Sequence, residues 1–447
     1  MLAAMSVTPT SASDRDNSGG GAARPKGSVR AGGDACPGAL RLHSADDGAL
    51  ARVRLPAGLL TVRQAEVLAG ISEELGDGGL DITSRGNVQL RGLADGCGGE
   101  LGERLRAAGM LPSDRHERVR NTVASPLCGL DGTGHGDVRA WARELDRLLC
   151  ANPDVTGLSG RFLFGLDDGR GDIAALGPDV TLIATEGGQA LLGYGTSASG
   201  LRVAAAHGPR AAVLAAEVFL EAARASGATA WRVKDLAEEH RPHAGALAHR
   251  LATAGIVSAP AALAPPPGTP VEPGLVTGPY GRTALSVAAP LGRLTAAQWR
   301  LVVRTAAEDG AGELRVTPWR GIVVPGLPSD TAPDRLAALA DAGLVTSAAS
   351  PWHRAGACAG RPGCAKSRAD VRADAADCLT GGRTRGLPVY WSGCERRCGH
   401  PSGVWVDVLA TGEGYEIAVR GGTTDGTAHT VTAAESAAAV TAARETT

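Results

Sequence analysis

Two pairs of cysteines carry the residue types and spacing most suited to chemistry. Cys394 and Cys398 lie four apart in "WSGCERRCGHP", and Cys358 and Cys364 flank the turn-forming string "AGRPG" about 30 residues earlier. Thiolates at C-x5-C and C-x3-C spacing suit a cubane 4Fe-4S cluster. Structural zinc is the alternative, disfavoured by the five-residue gap. The stretch "AKSRADVRADAADC" after Cys364 reads as a helix whose positive end would face the sulfurs. Cys378 falls inside that helix and reads as packing, while Cys36, Cys97, Cys128 and Cys150 read as small buried hydrophobes or incidental surface thiols. Nine cysteines, an odd number without a secretion signal, do not look like a disulfide framework.

The rest of the composition sets bounds. With 447 residues, 43% hydrophobic, the chain is long enough for two or three ordinary cores, and its formal charge of -2 points to neither nucleic acid nor membrane. Lysine occurs only at Lys26, Lys234 and Lys366 while arginine is abundant, a bias that by itself says nothing about ligands. No run reaches the ~18 apolar residues of a membrane span, and the N-terminus lacks a signal peptide's apolar core. The expectation is a cytoplasmic protein with a disordered N-terminal tail.

The elements that must position the cysteines come in two copies. Pro56 to Leu93 aligns with Pro290 to Leu327 at a constant offset of 234, without a gap. Thr61 with Gln64, and Thr295 with Gln298, form capping boxes that open a helix in each copy. Leu80 and Ile82, then Val88 and Leu90, alternate with polar residues as half-buried strands do; Leu314, Val316, Ile322 and Val324 repeat the pattern. Each copy is a strand, helix, strand, strand unit, and the two should combine into one pseudo-symmetric domain. The expected division is a tail over 1–47, a half-domain over 48–112, an α/β domain over 113–262, a Pro-rich linker over 263–280, a second half-domain over 281–348, the cysteine domain over 349–422 and a terminal helix or tail over 423–447.

Cysteine pairs placed after the second of two "strand, helix, T-x-R, strand" repeats resemble the siroheme-dependent sulfite and nitrite reductase family, from about residue 48 to 420. "VTPWRGIVVPGL" and "RNTVASPLCGLD" are most similar to its branch that makes cobalamin precursors. The resemblance implies an α+β, pseudo-twofold nitrite/sulfite reductase-like fold with two ferredoxin-like half-domains and two α/β domains. It implies a 4Fe-4S cluster on Cys358, Cys364, Cys394 and Cys398, and a bowl between the halves for a carboxylated tetrapyrrole. Forked guanidinium donors suit such a ligand. The matching positions are Arg52, Arg54, Thr83, Arg85, Gln89 and Arg120, with Arg320 taking the matching place in the second repeat.

One departure bears on the reaction. The reductases hold their inorganic anion with two lysines, and the nearest segment here, "SGRFLFG", has Arg161 and Leu163 instead. Asp167 and Asp168 just beyond read first as a turn. The branch resemblance implies O2-dependent hydroxylation of precorrin-3A at C20 with γ-lactone formation. It also implies a mononuclear non-haem iron, for which His116, His135, His353 and His400 are candidates by residue type alone. NADH would be an indirect electron source through a ferredoxin or reductase partner, because no G-x-G-x-x-G fingerprint appears. A siroheme-dependent sulfite or nitrite reductase and a non-catalytic tetrapyrrole or Fe-S carrier are the rival readings.

Overall fold

The computed structural model describes residues 36–380, 386–422 and 426–445. The expected disorder over residues 1–35 lies outside them. Residues 36–47 are ordered, contrary to the tail expected there: the backbone N–H groups of Ala39 and Leu40 donate to Glu117, and His43–Ala45 pairs with the strand Gly48–Val53. The C-terminal segment contains the helix Ser436–Glu445.

Both capping boxes form, opening the helices Val62–Glu74 and Ala296–Glu308. These pack on each other, and the buried Trp299 donates its indole N–H to the Ala65 carbonyl at 2.8 Å. The two copies exchange a strand. Arg293–Thr295 of the second copy pairs antiparallel with Gly79–Ile82 of the first, while Leu59–Thr61 of the first pairs with Glu313–Val316 of the second. Each five-stranded sheet therefore needs a piece of the other copy, and one hydrophobic core runs through both, including Leu60, Leu80, Leu294 and Leu314.

The symmetry extends to irregular backbone. The register shifts between Ala49 and Ala51 in one copy and between Thr283 and Leu285 in the other, positions 234 apart. Gly58 has φ +68°, and a Cβ there would lie 1.8 Å from the Val316 carbonyl oxygen, so only glycine lets the exchanged strand approach. The strand Gly79–Ile82 is buried on both faces, not half-buried as its alternation suggested. Asp81 is enclosed there because Arg293 and Arg372 pair with it.

Each half-domain leads into an α/β unit of related topology. In the first, Thr122–Ala124, Phe164–Asp167 and Val180–Thr185 run parallel before the chain turns antiparallel; in the second, Ala355–Ala357, Val389–Ser392 and Trp405–Ala410 do the same. No helix among the described residues is long and apolar enough to cross a membrane.

Candidate functional site

Cys358 follows directly on the strand Ala355–Ala357, and Cys394 comes two residues after Val389–Ser392, its parallel neighbour. A parallel pair joined by a crossover brings both strand ends to one edge of the sheet, where sites of open α/β sheets form. The backbone N–H of Gly393 donates to the Cys358 sulfur at 3.2 Å. Burial pushes the Cys398 thiol up; Arg396 opposes, and Cys394, Cys358 and Cys364 add to the rise as neighbouring charges. The four cysteines are thus brought together. No three of them draw their sulfurs within 4.8 Å of one another. A single tetrahedral zinc would need sulfurs about 3.8 Å apart, given its ~2.3 Å bonds.

The helix expected to begin just after Cys364 starts later, at Val371, and is capped by the Asp370 side chain. A turn fills the gap, with the Ser367 N–H bonded to the Cys364 carbonyl. Cys378 lies in the helix with its sulfur 3.1 Å from the Ser436 hydroxyl, and burial raises its thiol. The first half-domain supports the loop: Arg372 joins the Cys358 carbonyl to Asp81, and Arg91, paired with Asp47, donates to the Gly363 carbonyl at 2.7 Å.

The first α/β unit shows what stands at the equivalent place without cysteines. Ser125 follows its first strand as Cys358 follows the other, and the Asp168 N–H donates to the Ser125 hydroxyl at 3.1 Å, the counterpart of the Gly393 to Cys358 contact. Asp167, Asp168 and Asp172 gather there, buried, within 4.8 Å. Asp167 is spent on the N–H groups of Gly169, Gly171, Ile173 and Ala174, and Asp168 on Arg170, which also holds Asp131. This network ties loops together with hydrogen bonds. The turn read at Asp167 and Asp168 is present, but the carboxylates are buried within it.

A cavity of about 470 Å³ opens beside the cysteine domain, within the range of small-molecule sites. Ser84 and Arg85 of one half-domain and Thr317 to Gly321 of the other line it, with Trp352 to Gly356, Tyr390 and His400. Arg85, Arg232, Arg320 and Arg354 stand in its described wall, and no carboxylate or lysine does. Burial, then the neighbouring Arg232, brings Arg85 down to about 10, which leaves it cationic at neutral pH. Tyr390 connects cavity and cysteines: its hydroxyl donates to the Cys398 carbonyl at 2.6 Å, and burial pushes the phenol up to about 12.

The other expected contacts fall in three groups. Arg54, buried, and half-buried Arg52 neighbour Arg85 but do not themselves line the cavity; Arg52 bonds Gln89 at 2.9 Å. Thr83 accepts from the N–H groups of Arg85 and Asn87 and so shapes the turn, while Arg161 stacks on Trp231 at 4.3 Å. Two expectations need correction. Arg120 is buried, paired through two nitrogens with Asp146 and bonded to the Met110 carbonyl, which leaves it no fork for a ligand. Arg320 does reach the cavity, but at offset 234 its counterpart is Gly86, and Trp319 is the mate of Arg85. Arg320 and Gly86 share left-handed backbone, φ 59° and 64°.

Of the histidines, His353 and His400 line the cavity. His116 has both ring nitrogens engaged, by Ser113 and the Asn152 carbonyl, and His135 is exposed on the acidic loop. Arg232 and Arg354, the cavity arginines the sequence reading missed, follow no local motif.

Comparison with known proteins agrees with this architecture. Residues 43–108 and 278–342 each match the nitrite/sulfite reductase ferredoxin-like half domain. The chain is 28% identical to a precorrin-3B synthase of Sinorhizobium sp over 87% of this chain and 83% of that one. It is 27% identical to a ferredoxin–nitrite reductase of Synechococcus elongatus, over 79% and 74%. The NirA protein of Mycobacterium tuberculosis superposes with a TM-score of 0.69 at 21% identity, covering 87% of this chain and 78% of that one, which speaks to fold alone. The two half-domains thus match the ferredoxin-like half domain of nitrite and sulfite reductases in sequence, and the chain shares the fold of the NirA protein.

Proposed function

We propose that the protein is a precorrin-3B synthase, an oxygen-dependent monooxygenase that hydroxylates precorrin-3A at C20 and forms the γ-lactone. The observation that carries the proposal is Leu163, buried in the cavity wall where the resembling reductases place an anion-holding lysine. Without the ammonium groups an inorganic anion loses the compact proton donors that the two lysines supply to it. Four guanidiniums spread around the wall, with no carboxylate among them, suit a large ring with several acetate and propionate arms.

In this reading Arg85, Arg232, Arg320 and Arg354 bind the carboxylates. Arg232 is preset, its Nε held by Asp179 at 2.7 Å and its Nη2 by the Gly177 carbonyl at 2.8 Å, which leaves Nη1 for a carboxylate. Trp319 and Trp352 offer apolar faces to the macrocycle and exclude water from it. A 4Fe-4S cluster held by Cys358, Cys364, Cys394 and Cys398 would supply single electrons. Tyr390 stays protonated and fixes the Cys398 backbone relative to the cavity. For a mononuclear iron, His353 and His400 are the nitrogen donors present, but the wall has no carboxylate to complete a facial triad, and no step is assigned to that metal. The immediate donor in this proposal is a ferredoxin or reductase drawing on NADH.

Precorrin-3A, a chemical reductant and isotopically labelled dioxygen, incubated with the iron-loaded protein, should yield a tetrapyrrole carrying the label. Robust sulfite or nitrite reduction after siroheme is supplied, with no labelled product, overturns the proposal in favour of a reductase. Neither activity would point to a carrier.

A further inference from the structure

Cys36 stands apart from the four clustered cysteines, buried at the wall of a second cavity of about 150 Å³ shared with Pro37, Arg41, Leu42, His43 and Ser44. Two guanidiniums reach its sulfur, Arg54 Nη2 at 3.3 Å and Arg52 Nη1 at 3.7 Å, and the Gly160 carbonyl lies 3.6 Å away. Arg54 is 3% exposed, and its Nε and Nη1 have no acceptor; neither has Arg52 Nε. Glu117, the carboxylate that acts on Arg54, is itself committed to the N–H groups of Ala39 and Leu40. Burial brings Arg54 down to about 10, so it remains charged at neutral pH. Buried charged donors without acceptors are costly, and the same two guanidiniums set other nitrogens, Arg54 Nη2 and Arg52 Nη1, on the sulfur. An oxygen carried by that sulfur would give the two guanidiniums a charged acceptor in place of a thiol. The contact is held by close packing: a Cβ at Gly160 would meet the Cys36 sulfur and Arg54 Nη2, each at 3.2 Å.

We propose that Cys36 is a modification site at which a hydroperoxide oxidises the thiol to a sulfenate held by Arg52 and Arg54. The thiol proton leaves to solvent and the sulfur anion attacks one peroxide oxygen. The O–O bond breaks as the S–O bond forms, and sulfur gives up two electrons. With hydrogen peroxide, the thiolate and the peroxide become a sulfenate anion and water. The site stands independently of the reaction in the larger cavity.

The test is exposure of the iron-loaded full-length protein to hydrogen peroxide with dimedone present, followed by peptide mass spectrometry. The dimedone adduct should accumulate at Cys36 about tenfold faster than at Cys128 or Cys378, whose thiols lack paired guanidiniums. Arg54→Gln and Arg52→Gln should each slow labelling several-fold with circular dichroism unchanged. Arg52, less enclosed than Arg54, provides the second arm if Arg54→Gln does not fold. Labelling of Cys36 no faster than of Cys128, or wild-type labelling rates in the folded arginine variants, overturns the proposal.

Discussion

Replacing Asp172 by asparagine should remove a pH dependence of stability that the wild-type chain carries. Asp172 is 2% exposed; its Oδ1 accepts the Ser125 hydroxyl at 2.6 Å, and its Oδ2 has no partner. Burial pushes its carboxyl up from 3.8 to about 7; the Ser125 hydroxyl and Arg170 oppose this, while Asp167 and Asp168 reinforce it. The folded protein therefore keeps a proton that the unfolded chain releases near pH 4. Stability is greatest below the unfolded value, falls as pH rises from about 4, and levels off above about 7. At about 1.4 kcal/mol per pH unit, a gap of roughly three units amounts to about 4 kcal/mol. The amide of Asp172→Asn imitates the protonated acid and has no proton to lose. Urea unfolding of both proteins, followed by circular dichroism from about pH 4.5 to 8, should show the variant gaining on wild type by most of that amount. The comparison cancels groups common to both proteins. A difference that stays flat across this range would refute the reasoning and mean that Asp172 is ionised in the fold.

Under the proposed cluster, Cys364→Ser or Cys398→Ser should lose iron and sulfide together with the visible chromophore, whereas Cys378→Ala keeps them; full iron in Cys398→Ser would break the ligand assignment. Arg120→Ala should lower stability by about 3 kcal/mol, the low end for a broken buried pair because Asp146 keeps some water, and leave tetrapyrrole affinity of the folded protein unchanged. Arg85→Ala should do the reverse, weakening that affinity about tenfold to a hundredfold with little change in unfolding, as charge-assisted bonds of about 1.5 to 3 kcal/mol are lost. Isothermal titration and thermal unfolding of the two variants distinguish these outcomes, and the opposite pattern would reverse the roles given to the two arginines.

The amino-acid sequence by itself determined the local elements and their repetition. Thr61 with Gln64 and Thr295 with Gln298 specify helix starts through contacts three residues apart, so both boxes were legible. Spacing alone brought out the cysteine pairs, since each pair closes over one short loop. Tertiary structure decided what depends on distant partners. A three-residue strand such as Leu59–Thr61 carries no mark of the sheet it joins, and its pairing with Glu313–Val316 follows from the shared core. Arg120 reads like any motif arginine until Asp146, on the helix Val138–Ala151, takes both arms of its fork. Arg232 and Arg354 enter the cavity without a motif, because a wall is assembled from loops far apart in the chain. Cys36 reads as a buried hydrophobe or an incidental surface thiol for the same reason. Its guanidinium neighbours reach it across a strand 16 and 18 residues away, and no pattern within its own segment predicts them.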